Sequence, residues 1–352
     1  MAGDIRLLLL GTGGIAQQHI TEFGQVAGCA IVACADALPG RAEAYAAKQG
    51  IARAFSSLDE ALAWGEFDAA INATPDGVHK ATTLQLLAAG KHVFCEKPLA
   101  PSYGDALEMT EAAEKAALIN MVNFTYRNSP ALQKAREMAA EGMLGELRHI
   151  EAAYRQSWLV SKAWGDWRTE TMWLWRLSST HGSTGVLGDV GVHILDFASY
   201  GAGDEIVALK ADLATFHKAD GDRIGDYQLD ANDSVAMTAR FSRGALATVV
   251  ATRFATGHAN DLSLALHGTK GALKVETDGR TSSLKGCFGK NIDKSHWRKI
   301  TFEPTMRNAA RFIAAIGSGV NGDPSFRRAA EIQRLIDGAF DSDRSGEAAT
   351  FR

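Results

Sequence analysis

Three short stretches carry side chains whose types and spacing could do chemistry. Glu96-Lys97-Pro98 closes the apolar run His92-Val93-Phe94-Cys95. Ligands of open parallel sheets collect outside the carboxyl ends of the strands, so a lysine there can reach one. Its ammonium could stabilise a developing oxyanion. The second stretch is Asp189-Val190-Gly191-Val192-His193, with Asp196 just beyond. If it is helical, Asp189 and His193 lie one turn apart on one face, and an aspartate beside an imidazole can orient it and raise its basicity. The third is Gly11-Thr12-Gly13-Gly14-Ile15-Ala16, directly after the apolar run from Ile5 to Leu10. Small residues at this spacing let the chain turn sharply, let a pyrophosphate approach the backbone, and open a helix whose N–H groups face the anion. Asp36 ends the next apolar run, where a carboxylate would accept hydrogen bonds from an adenosine ribose and repel a 2′-phosphate. That favours NAD, and Arg41 nearby leaves NADP possible. Each stretch has a plainer reading too: a solvated lysine, a satisfied core histidine, a turn with no ligand.

These groups need a scaffold, and the patterning supplies one. Apolar runs at Ile5–Leu10, Ala30–Ala35, Asp68–Asn72, His92–Cys95 and Asn120–Phe124 alternate with segments of helical period, Arg41–Gln49 and Ser102–Ala117 among them. Thr74-Pro75 stops the run at Asp68–Asn72, because proline cannot donate to a sheet ladder. Such alternation predicts a doubly wound parallel sheet of Rossmann type over residues 1–124. Beyond a helix at Ala131–Glu141 the period changes to two: Val235, Met237, Ala239 and Phe241 alternate with polar or small residues, and Leu246–Phe254 and Leu262–His267 repeat the pattern. Residues 125–352 are therefore expected to form an α+β domain with a large, mostly antiparallel open sheet, giving an α/β protein with substrate-binding and oligomerisation functions in its second domain. Amphipathic helices at Met306–Ile316 and Arg327–Phe340 close it. Gly188 and Gly191 suggest a close approach, since glycine in a helix is otherwise costly. Ala247, Val249 and Ala251 look suited to burial against another subunit, which predicts a homodimer or homotetramer.

The chain has 352 residues, 46% apolar and 22% charged, with a net charge of −4. That is an ordinary globular composition and argues against a nucleic-acid surface. Cys29, Cys34, Cys95 and Cys287 match neither a zinc site nor a disulfide framework, so reduced thiols and no metal are expected. The Leu7–Leu10 run is too short for a signal-peptide core or a membrane span, which makes a cytoplasmic protein with no membrane contact the default. Five tryptophans, Trp158, Trp164, Trp167, Trp173 and Trp175, with Arg155, Arg168 and Arg176, suit a carbohydrate, whose C–H face stacks on aromatic rings; a core or subunit contact is the other use of such rings.

Taken together the motifs resemble those of the Gfo/Idh/MocA family of nicotinamide-dependent oxidoreductases. The resemblance runs from the Gly11 fingerprint through Thr74-Pro75 with His79, Gly90-Lys91-His92-Val93, Glu96-Lys97-Pro98 and Asp189-x-Gly191-x-His193-x-x-Asp196. It implies that Lys97, Asp189 and His193 form the catalytic group. It also implies that Gly11, Gly13, Gly14, Ile15, Asp36 and Arg41 hold the cofactor, and that Thr74, Pro75, His79, Glu96 and Lys97 line its nicotinamide side. Trp175-Arg176 is similar to a pair that closes over nicotinamide and substrate, and Tyr126, Arg127, Arg176, Asp189, His193 and Lys97 are the implied substrate contacts. The implied reaction is hydride transfer between a ring carbinol of a sugar, anhydrosugar or inositol and nicotinamide C4, with the proton passing to His193 or to Lys97. A redox-neutral NAD-dependent glycosidase and a non-catalytic dinucleotide sensor are the alternatives. Two departures stand out: Ser183 and Thr184 occupy places where relatives often have glycine, and Asn123 stands where a glycine is common.

Overall fold

The computed structural model describes residues 4–351. Strands Ile5–Leu10 (β1), Cys29–Ala35 (β2), Arg53–Phe55 (β3), Ala69–Asn72 (β4), His92–Cys95 (β5) and Asn120–Val122 (β6) form one sheet. Its order is β3-β2-β1-β4-β5-β6 and every pairing is parallel. Leu7, Leu8 and Leu9 are wholly buried. A strand covered on both faces has no polar side to alternate with, which is why β1 reads as an unbroken apolar run. Each such leucine contributes about 1.5–3 kcal/mol. The helices between strands start and stop on local signals: Ser57 and Ser102 accept from the amides of Glu60 and Asp105, both at 3.2 Å, and Gly50 and Gly65 end helices in the left-handed conformation. The strand order reverses between β1 and β4, the place where doubly wound sheets take their ligands.

By compactness, Met1–Phe124 and Met306–Gln333 form one unit, and Thr125–Thr305 with Arg334–Arg352 form another. The helix expected at Met306–Ile316 runs over Asn308–Ser318. Its Ala309, Phe312, Ile313 and Ala315 share one apolar cluster with Phe23, Ile71 and Phe94 of the parallel-sheet unit. An amphipathic pattern tells which helix face is buried but not which sheet it meets.

The second unit holds Leu147–Gln156 (β7), Ile206–Ala214 (β8), Arg223–Ile224 (β9), Tyr227–Gln228 (β10), Ser234–Phe241 (β11), Leu246–Thr252 (β12), Asn260–Gly268 (β13), Gly271–Thr277 (β14), Ser282–Phe288 (β15), Arg298–Lys299 (β16) and Ala349–Thr350 (β17). Nine strands make a sheet in the order β16-β15-β14-β13-β7-β12-β11-β8-β17, with β9 and β10 a separate hairpin. Only the β12 and β7 pair within the nine is parallel. The period-two reading of β11 and β12 holds, but the face assigned to Ala247, Val249 and Ala251 was wrong. All three have zero exposure within the chain itself, in register with buried Ala239, Met237 and Val235. Small size identified them as packing residues, and alternation alone cannot say which side of a sheet its own helices cover. Among the described residues no helix is long and apolar enough to cross a membrane.

Candidate active site

In the parallel-sheet unit, the turn after β1 is shaped for an anion. Gly11 has a φ of 89°, and a Cβ there would stand 2.6 Å from the Ala73 carbonyl oxygen of the neighbouring strand end. Only glycine fits. Gly13 and Gly14 differ: a Cβ at Gly13 would meet only an Arg41 nitrogen at 3.7 Å, and one at Gly14 nothing within 4 Å. Their missing side chains leave the backbone open to a ligand, and Ile15 is partly exposed beside them as the helix Ala16–Phe23 begins. Asp36, at the end of β2, leans over this turn: Oδ2 accepts from the Thr12 amide and hydroxyl, each at 2.8 Å, Oδ1 accepts from the Leu38 amide at 3.0 Å, and Arg41 Nε lies 3.7 Å from Oδ2. Burial works against its charge, but these donors hold the carboxyl below its ordinary range. The residues fit a dinucleotide: bare backbone for the pyrophosphate, and an ionised carboxylate for ribose hydroxyls.

At the ends of β4 and β5 a polar web fixes the expected nicotinamide side. Asn72 is wholly buried; it accepts from the Thr74 hydroxyl at 2.7 Å and donates to Thr82 at 2.8 Å and Thr83 at 3.0 Å. Pro75 is exposed just after it. His79 has no exposure, and its ring nitrogens lie 2.9 Å from the Pro98 carbonyl and 2.8 Å from the Thr74 carbonyl. Two acceptors call for two donors, hence an imidazolium. Burial opposes that charge, yet Cys95, Asp76 and the Pro98 carbonyl outweigh it and lift the ring to about 10. His79 therefore ties the Thr74-Pro75 turn to the segment after Lys97 through their backbone carbonyls.

Glu96 is likewise interior. Oε1 is 2.9 Å from Nε2 of His19 and accepts from Asn123 Nδ2 at 2.7 Å, and Oε2 accepts from the Lys97 amide at 3.1 Å. Burial pushes its carboxyl up, but His19, Asn123 and Lys97 together bring it down to about 2. The asparagine at position 123 thus has a partner that a glycine would lack. Lys97 itself is half-buried.

In the second unit, Asp189 and His193 do not share a plain α-helix. Leu187–Gly191 is a π-helical turn, followed by the α-helix Val192–Ala202. Such wide turns are frequent at functional sites. The close approach expected at the glycines is internal: a Cβ at Gly188 would meet Thr184 Oγ1 at 1.8 Å, and one at Gly191 would meet Leu187 Cδ1 at 2.9 Å. His193 is 6% exposed, with the Tyr126 ring edge-on at 5.0 Å and the Tyr154 ring at 6.3 Å. Asp189 is partly open, and its Oδ2 accepts from Arg253 Nη2 at 3.0 Å with Arg176 Nε at 3.9 Å.

Tyr126 lies among polar partners. Its hydroxyl is 2.5 Å from that of Tyr154 and accepts from Asn260 Nδ2 at 2.8 Å; Tyr154 donates to Asn260 Oδ1 at 2.7 Å, and Gln156 donates to that oxygen at 2.9 Å. Burial first, then Tyr126 and Asp189, push the Tyr154 phenol well above its ordinary range. Arg127, implied as a substrate contact, is 2% exposed: Nε and Nη2 grip Asp196 at 2.6 and 2.7 Å, and the guanidinium covers the Tyr200 ring at 3.8 Å. Its place is inside the packing of the His193 helix. Arg176 stacks on Trp175 at 4.5 Å, and Trp175 is 36% exposed. Trp158 and Trp167 instead form a small core with Leu159, Leu174, Leu177 and Leu229, so the sugar-facing use read into all five rings is left chiefly to Trp175. Ser183 anchors this region by donating to the Arg176 carbonyl at 2.6 Å. Sequence reasoning missed Tyr154, Gln156, Asn260 and Arg253. Tyr154, Gln156 and Asn260 sit on strands and Arg253 just past the end of one, where nothing local distinguishes a polar residue aimed inward from a turn residue.

Two family descriptions match the chain: the oxidoreductase family with an NAD-binding Rossmann fold over residues 5–124, and the GFO/IDH/MocA C-terminal domain over residues 132–274. Levoglucosan dehydrogenase of Pseudarthrobacter phenanthrenivorans is 26% identical over 305 residues, covering 77% of this chain and 76% of that protein. Inositol 2-dehydrogenase of Rhizobium meliloti is 28% identical over 340 residues, covering 95% and 96%. A solved levoglucosan dehydrogenase, in complex with NADH and levoglucosan, shares the fold with a TM-score of 0.86 at 24% identity over 99% of each chain. The chain belongs to the GFO/IDH/MocA family of oxidoreductases. It is an NAD-binding enzyme of that class.

Proposed function

We propose that the enzyme oxidises a ring carbinol of a neutral sugar or anhydrosugar, with an inositol as the second substrate class. When bound, the nicotinamide supplies the hydride acceptor, and the C–H bond broken at the carbinol leaves a ketone. His193 takes the hydroxyl proton as general base. The Lys97 ammonium hydrogen-bonds the same oxygen and stabilises its developing negative charge, the larger electrostatic share of the work. Asp189 holds a neighbouring hydroxyl or orients the imidazole. What supports the reading most is Asp189: a partly open carboxylate gripped by a buried arginine, four residues before the one histidine of its helix. Gly13 and Gly14 leave the backbone open to a dinucleotide pyrophosphate, and the Asp36 carboxylate supports NAD over NADP. Trp175 with Arg176 offers an aromatic face and a cation for a polyhydroxylated ring. The relatives act, by their names, on an anhydrosugar and on inositol.

The test is NADH formation across a panel of monosaccharides, anhydrosugars and inositols, with NAD+ and NADP+ in parallel. Turnover that needs NAD+ and collapses in His193→Ala supports the dehydrogenase. Glycoside cleavage with no net NADH would overturn it in favour of the redox-neutral hydrolase. We also propose a homodimer or homotetramer, now resting on the opposite face of the large sheet, where Ala236, Thr238, Thr248 and Val250 lie in register and are not buried; a monomeric mass by light scattering would refute it. Four free cysteines fit a reducing cytoplasm.

A further inference from the structure

Behind Asp189 runs a line of buried charge that the proposed reaction does not use. Asp233 precedes β11 and Arg253 follows β12, so the ladder pair Ser234 and Thr252 brings them opposite one another, and the Arg253 amide donates to the Asp233 carbonyl at 3.0 Å. Opposed residues of an antiparallel pair point to the same face. Both side chains have zero exposure. Lys218, 1% exposed at its side chain, donates to Asp233 Oδ2 at 2.6 Å and to the Phe216 carbonyl at 2.8 Å. At the other end Arg253 Nη2 donates to Asp189 Oδ2 and Nη1 donates to the Arg176 carbonyl, each at 3.0 Å, while the guanidinium lies 5.0 Å over the Trp158 ring. The signs alternate along the line: Lys218, Asp233, Arg253, Asp189.

Two atoms in the middle stand unsatisfied, Asp233 Oδ1 and Arg253 Nε, both buried. An unpaired buried polar atom costs about 1–3 kcal/mol, more when charged. One water bonded to both removes both costs, and two to four polar partners are what a buried water requires.

We infer that Arg253 is the positioning residue of the Asp189 carboxylate, and that the Lys218 and Asp233 pair fixes Arg253 in turn through a water bridging Asp233 Oδ1 and Arg253 Nε. The inference rests on the proposed function only for the consequence in rate; the placement of Asp189 stands apart from it. A purely structural pair would stabilise the end of the β11–β12 hairpin and leave the carboxylate to itself. Here the guanidinium sets where that carboxylate sits and keeps it matched with a positive charge, so loss of Arg253 acts at the site as well as on the fold.

Crystal structures and kinetics of the wild type, Arg253→Lys, Arg253→Met and Asp233→Asn test this. The wild-type crystal should show the bridging water, and its absence overturns the relay. In both Arg253 variants the Asp189 carboxylate should leave its wild-type position; a carboxylate that stays put overturns the assignment, whether or not the panel has yielded a substrate. On the panel's best sugar, kcat should fall about 100-fold in Arg253→Lys, the scale of a small misplacement at a reacting centre, with KM for NAD+ unchanged. Unchanged kcat, or an equal loss in both parameters, would reduce the arginine to a fold element. Should the Arg253 variants not fold, Asp233→Asn reads the same line: a tenfold fall in kcat at near-normal melting temperature supports it, and wild-type kcat refutes it.

Discussion

Glu96 Oε1 and His19 Nε2 meet at 2.9 Å inside the parallel-sheet unit. The contact joins the end of β5, one residue before Lys97, to the helix that opens at the Gly-rich turn, so the lysine and the anion cradle share one rigid support. Its carboxyl is held at about 2. A depressed carboxyl contributes stability that is fully present above its unfolded value of about 4.5 and is lost as pH falls through about 2, so the melting temperature should drop between those limits. The linked free energy is on the order of 3 kcal/mol. Glu96→Gln should lower stability at neutral pH and flatten the acid limb of the profile. Parallel profiles for variant and wild type in thermal melts would show that Glu96 does not titrate in that window.

Lys97→Met should lower kcat by about 100- to 1,000-fold, the range seen when one donor to a developing oxyanion is removed. NAD+ binding, measured by calorimetry, should stay within a few-fold. A variant that retained turnover would remove Lys97 from the reaction.

Asp36→Ser should weaken NAD+ binding about tenfold, roughly 1.4 kcal/mol, and narrow the preference over NADP+. The Thr12 amide and hydroxyl lose their acceptor at the same time, so some loosening of the turn is expected. Equal loss for both cofactors would mean that Asp36 shapes the turn and does not read the ribose.

Arg127→Met should cost about 3–5 kcal/mol in denaturant melts, because it strands a buried Asp196. Adding Asp196→Leu should return part of that loss. If Arg127→Met instead leaves stability near wild type and raises only KM for the sugar, Arg127 is a substrate contact after all.

Gly14→Ala tests the bare cradle. Nothing stands within 4 Å of a Cβ there, so the melting temperature should hardly change while cofactor affinity falls. Unchanged affinity would mean that no ligand approaches this backbone.

Much of the first unit was legible because its signals are local. A strand covered on both faces must be apolar throughout, a turn at positive φ beside another backbone must be glycine, and a doubly wound order follows from the alternation of such strands with helices. Gly11, Asp36, Thr74 and Lys97 have places on that frame that follow from the sequence alone. What tertiary structure alone decided was pairing. Period two in β12 did not reveal that Ala247, Val249 and Ala251 face the protein's own core, since both faces of a strand look alike until helices cover one. The spacing of Asp189 and His193 did not reveal a π-turn between them, nor that Arg253, Asp233 and Lys218 stand behind the carboxylate. Those partners are remote in the chain, and a charge can be buried only where folding brings an opposite charge to meet it.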